Sequence, residues 1–164
     1  MSGKSERPLM VLTMSKNKKT GCGHRRPITH PWPHEVTRVF TPIEIVFDEL
    51  KQGMINEADG RLVFYDPNER MWFDVIGALQ GWIETWSVVL EHYGIALDQS
   101  PLTVLAEKLA RDDLLTPEEV DAAHRVLIAQ KRLYMFRIDV YLMKGVVNHM
   151  RSKFKREEQH EPAA

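Results

Sequence analysis

Between residues 116 and 156 apolar side chains recur at alternating spacings of three and four: Val126, Ala129, Leu133, Phe136, Val140, Met143, Val147, Met150 and Phe154. That is the period of one face of an α-helix. Thr116-Pro117-Glu118-Glu119 opens the stretch with a hydroxyl at the N-cap, proline at the first helical position and glutamate three residues after the cap. With no proline before Pro162 and Gly145 as the only glycine, the pattern predicts one uninterrupted C-terminal helix from Thr116 to about Arg156. At 1.5 Å per residue such a helix is about 60 Å long.

Earlier in the chain the same reading gives shorter helices. Thr41-Pro42-Ile43-Glu44 repeats the capping signal and sets Ile43, Val46, Phe47, Leu50 and Met54 on one face, with a stop near Gly53 to Asn56. From Met71 to Tyr93 a stripe containing Trp72, Val75, Ile76, Leu79, Trp82, Ile83, Trp86, Val89, Leu90 and Tyr93 predicts a second helix, stopped by Gly94. Ser100-Pro101 begins a short third one carrying Leu102, Leu105 and Leu109. Between the first two, Leu62 to Tyr65 and Met71 to Phe73 flank Asp66-Pro67-Asn68-Glu69, so residues 61–73 can pair as a short hairpin, the competing reading being an extended loop. The expected fold class is therefore all-α, a small helical bundle built on one long C-terminal helix. Its expected division is a basic flexible arm over residues 1–34, a helical domain over 35–156 and a frayed tail over 157–164.

Charge changes this picture more than composition does. The 164 residues sum to a net charge of -1, but residues 1–34 hold seven basic side chains against one acidic, residues 35–121 six against eighteen, and residues 122–164 nine against four. The chain is basic at both ends and acidic between. Arms of that composition bury too little to offset their ordering entropy. Cys22 is the only cysteine, which excludes an intrachain disulfide and suits a reducing compartment, so the expected location is the cytoplasm. No stretch approaches the roughly 20 apolar residues that span a bilayer, so no membrane association is expected.

Candidate chemistry is sparse. Cys22, His24, His30 and His34 are possible zinc ligands in the arm, yet Cys-x-His is tight and two prolines cross the His30 to His34 interval, so the spacing argues against a site. Asp121-x-x-His124 offers half of a carboxylate-bridged di-metal motif without the other half. Neither a nucleophile elbow nor a glycine-rich phosphate loop is present, and Gly77-x-x-x-Gly81 reads as helix packing, so neither enzymatic activity nor a cofactor is expected.

Two functions remain. A helix of about 60 Å outruns the roughly 35 Å of the Trp72 to Tyr93 helix. Val140, Met143, Val147, Met150 and Phe154 would then form an apolar row beyond the domain. That row predicts a non-enzymatic interaction or regulatory module that self-associates or holds a protein partner through the distal half of the helix. The competing structural reading is a break near Gly145 that folds the end back. The alternative function is a nucleic-acid-binding accessory protein that uses Lys16, Lys18, Lys19, Arg25 and Arg26 of the arm together with the basic end of the long helix.

Overall fold

The computed structural model describes residues 27–158, and side chains through residue 153. Its elements in chain order are α1 (Pro33–Gln52), β1 (Asn56–Ala58), β2 (Arg61–Asp66), β3 (Met71–Asp74), α2 (Val75–Tyr93), α3 (Ser100–Ala110), α4 (Pro117–Phe136) and α5 (Val140–Glu158). The chain is mostly helical and carries a small antiparallel sheet in the order β1-β2-β3, so it is not purely all-α.

The expected long helix is two helices. α4 begins as the sequence indicates, with the Thr116 hydroxyl accepting from the Glu119 amide and Glu119 Oε2 accepting from the Thr116 amide. It stops at Phe136, and α5 starts at Val140 after three intervening residues. Ile138 and Val140 explain the break. Two positions at 100° each point to opposite sides of a helix, and both side chains are buried, which a continuous helix could not arrange. Asp139 makes the restart possible by accepting the Tyr141 and Leu142 amides at 2.9 and 3.2 Å. Its own amide donates to the Tyr93 hydroxyl at 2.9 Å. Gly145, where the competing reading placed a break, lies inside α5.

Two other boundaries move for local reasons. α1 begins at Pro33 rather than Thr41: the Trp32 carbonyl accepts from the Glu35 amide, and Glu35 Oε2 accepts from the Trp32 amide at 2.9 Å. Pro42 sits inside the helix, where it has no amide to give to the Arg38 carbonyl, and beside it the Thr41 hydroxyl donates to the Thr37 carbonyl at 2.7 Å. α2 begins at Val75 because Asp74 caps it, accepting the Gly77 amide at 2.6 Å. A Cβ on Gly77 would stand 3.0 Å from that carboxylate, so the glycine serves the cap rather than a helix contact. Met71 to Asp74 pair with β2 as expected for the hairpin, Tyr65 facing Trp72 and Phe64 facing Phe73. β1 was not expected. Its three exposed residues carry no alternation, and it is held by a two-residue turn at Asp59 and Gly60, both in the left-handed region.

The core lies between α1, α2 and α4 and is centred on Phe40. Its ring meets Trp82 edge-on at 4.9 Å, with Trp86 at 6.2 Å and Tyr134 at 6.1 Å. A polar chain crosses this region. Trp82 Nε1 donates to Gln130 Oε1, Gln130 Nε2 to Gln99 Oε1, and Gln99 Nε2 to the Ser87 hydroxyl, so the fully buried Gln130 is satisfied at both ends. α5 returns along α2 and closes that side.

Candidate functional site

Folding α5 back changes the meaning of its apolar row. Val140, Met143 and Met150 are 3, 1 and 7% exposed, and Val147 packs partly buried against the core. The row covers the molecule's own body, and the excess length that pointed it at a partner does not exist. The Phe154 side chain lies outside the described residues, as do Lys16, Lys18, Lys19, Arg25, Arg26, Cys22 and His24.

Of the weak zinc set, His30 and His34 are both exposed, and no group of three metal-ligating side chains occurs among the described residues. The Asp121 and His124 pair is engaged otherwise. Lys51 lies 2.8 Å from His124 Nδ1 and 3.6 Å from Asp121, so an ammonium occupies the place a metal would take. Burial, then Lys51, holds the His124 imidazole below its usual pKa, against the opposing pull of Asp48, Asp121 and Glu44. A neutral ring accepting from Lys51 at Nδ1 carries its proton on Nε2. Beside this cluster a depression of about 330 Å³ is lined by Leu50, Lys51, Leu115, Thr116, Pro117, Val120 and Asp121.

The basic end of the former long helix is largely engaged as well. Lys144 pairs with Glu35 at 2.7 Å, Lys153 with Glu84 at 3.2 Å and, more loosely, Arg151 with Glu69 at 3.9 Å. These pairs lie at the surface, where each is worth at most about 1 kcal/mol, but they offset much of the charge that phosphates would otherwise meet.

What the fold assembles instead is a corner. The segment leading into α1 runs beside the restart between α4 and α5: the Thr29 amide donates to Asp139 Oδ2 at 2.8 Å, and the Val140 amide donates to the Thr29 carbonyl at 3.0 Å. A second bridge follows from Trp32, whose amide is held by the Glu35 carboxylate. The other oxygen of that carboxylate takes Lys144, and Lys144 in turn stands 6.0 Å from the centre of the Tyr141 ring. The Lys144 hydrogen bond, then the Trp32 amide, hold Glu35 ionised below the usual carboxylate range. Around these bonds Trp32, Tyr141 and Phe136 are 71, 69 and 66% exposed, the most exposed aromatic side chains among the described residues. Arg137 follows Phe136, His30 and His34 flank Trp32, and Arg25-Arg26 precede the corner directly in sequence. Sequence reading missed this site because it depends on a turn at residues 137–139 that the helical period conceals. The available signal was Asp139, a good N-cap residue, lying between apolar positions that cannot share one helical face.

A second exposed feature is the open face of the sheet, where Tyr65 and Trp72 meet edge to face at 5.6 Å. No helix among the described residues is long and apolar enough to cross a membrane. No protein-family model, curated protein or solved structure matches this chain.

Proposed function

We propose that this chain is a non-enzymatic nucleic-acid-binding accessory protein, working through the basic N-terminal arm and the corner into which the arm leads. The observation that supports this reading is that Trp32, Phe136 and Tyr141 are exposed, with Lys144 6.0 Å from the Tyr141 ring and Arg137 next to Phe136 in sequence, at the point where a segment holding seven basic side chains against one acidic joins the fold. Cations supply salt-dependent attraction to phosphates, and aromatic rings supply stacking. The cytoplasm is the proposed compartment, on the strength of the single cysteine.

The test is anisotropy of a labelled oligonucleotide across a salt series, comparing the full chain with a variant in which Lys16, Lys18, Lys19, Arg25 and Arg26 are all glutamine. Binding that weakens with salt, with a slope shallower by about one for each phosphate that the variant no longer neutralises, is the expected result. Salt-independent or absent binding in the full chain would remove the proposal.

A protein-interaction or self-associating module is the second reading, and the Tyr65 and Trp72 pair on the uncovered sheet face favours it. Light scattering over a concentration series decides its self-associating form: a Trp72→Ala change that converts dimer to monomer supports it, and a monomer at every concentration excludes it.

A further inference from the structure

We infer that Trp32, Tyr141 and Phe136 form a platform on which the bases of a single-stranded nucleic acid stack, in preference to a duplex; the inference rests on the nucleic-acid reading above. Three observations carry it. First, Trp32 is the N-cap residue of α1, a place where a side-chain oxygen ordinarily accepts from the first helical turn, and an indole makes no such bond. Its presence there, 71% exposed, is not explained by the helix it caps. Second, the corner fixes the backbone beneath the rings while leaving the rings uncovered. Thr29, Asp139 and Val140 are tied together by the two hydrogen bonds described, and the Glu35 to Lys144 pair links the Trp32 backbone to a cation standing over Tyr141. A rigid base with accessible π-faces is what base stacking requires, because a flexible one would lose ordering entropy on each contact.

Third, the distribution of charge selects the strand. Residues 27–158 hold fifteen basic against twenty-one acidic side chains, so the body is negative as a whole. Across residues 131–144, by contrast, Lys131, Arg132, Arg137 and Lys144 stand against Asp139 in sequence; Glu44 pairs with Lys131 and Glu35 with Lys144, which leaves the exposed Arg132 and Arg137 to meet phosphates. A stiff duplex laid on this corner would carry its phosphates over the acidic remainder of the body. A single strand can bend to stay on the cationic segment, and its unpaired bases expose the faces that a duplex hides.

The decisive experiment compares three probes on the full chain at one salt concentration: a short oligo(dT) strand, an abasic strand of equal length, and a duplex. Stacking predicts that oligo(dT) binds at least about tenfold more tightly than the abasic strand, since each stacked base adds appreciably to affinity. Trp32→Ala and Tyr141→Ala should each weaken oligo(dT) binding by about tenfold while leaving the abasic strand unchanged, and Tyr141→Phe should bind as the parent does. Both positions are exposed, and an unchanged circular dichroism spectrum confirms that the variants fold. Equal affinity for oligo(dT) and the abasic strand, indifference to both alanine variants, or preference for the duplex would each overturn the platform while leaving the nucleic-acid reading standing. Absence of binding to all three probes would overturn both.

Discussion

At the scale of single residues, the polar atoms the fold leaves without partners are the most informative. Tyr134 is fully buried and its hydroxyl has no hydrogen-bond partner among the described residues. Burial, reinforced by Glu35 and Asp139, pushes its pKa up to about 12. A buried donor without a partner is a cost, so Tyr134→Phe should raise unfolding stability by up to about 1 kcal/mol in urea denaturation. His124 supplies a pH dependence of definite sign. Because burial and Lys51 favour its neutral form in the folded state, the folded chain binds a proton less readily there than the unfolded chain. Its contribution is therefore complete above the ordinary histidine value of about 6.5 and is lost as pH falls through that value toward the lower folded one. His124→Asn, which keeps an acceptor for Lys51 but does not titrate, should flatten that part of the stability profile followed by thermal melts.

The α4 to α5 junction is the element-scale finding. Sequence period alone cannot see it, because the three-and-four spacing runs through Phe136, Val140 and Met143 without a phase error large enough to register. Ile138 is the residue that breaks the rule: it is buried although it lies off the row that holds Phe136, Val140 and Met143. Asp139 then carries the restart, so Asp139→Ala should cost about 1–2 kcal/mol in equilibrium unfolding, and Asp139→Asn, which keeps one acceptor, distinctly less. Gly145 gives the complementary outcome. A Cβ there would meet nothing within 4 Å, and the glycine sits in regular helix. Gly145→Ala should stabilise the chain by about 0.5–1 kcal/mol, a result incompatible with a hinge at that position.

For the whole molecule, the return of α5 along α2 joins both ends of the described chain to one core. Trp82 and Trp86 lie within it, while circular dichroism reports all five helices of the described residues. Tryptophan fluorescence and far-ultraviolet circular dichroism should therefore trace coincident urea transitions, and a lagging signal from one probe would show that part of the fold opens separately. Charge acts at this scale too. Lys144, Arg151 and Lys153 of α5 meet Glu35, Glu69 and Glu84, so the positive charge of the described part of that helix is largely offset by the acidic body.

Much of this was legible in the residues alone. The capping box at Thr116, the left-handed stop at Gly94, the start at Ser100-Pro101 and the Leu62 to Phe73 hairpin all follow from interactions within a few positions of one another, which local sequence encodes completely. What the period could not decide was where the helix stops within residues 136–140, because that depends on Tyr93 and Thr29, distant in sequence, arriving to satisfy the backbone there. The apolar row of α5 was visible as a row. Only its packing against α2 turned it from a surface awaiting a partner into part of the core, and only the same turn brought Trp32, Phe136 and Tyr141 to one corner.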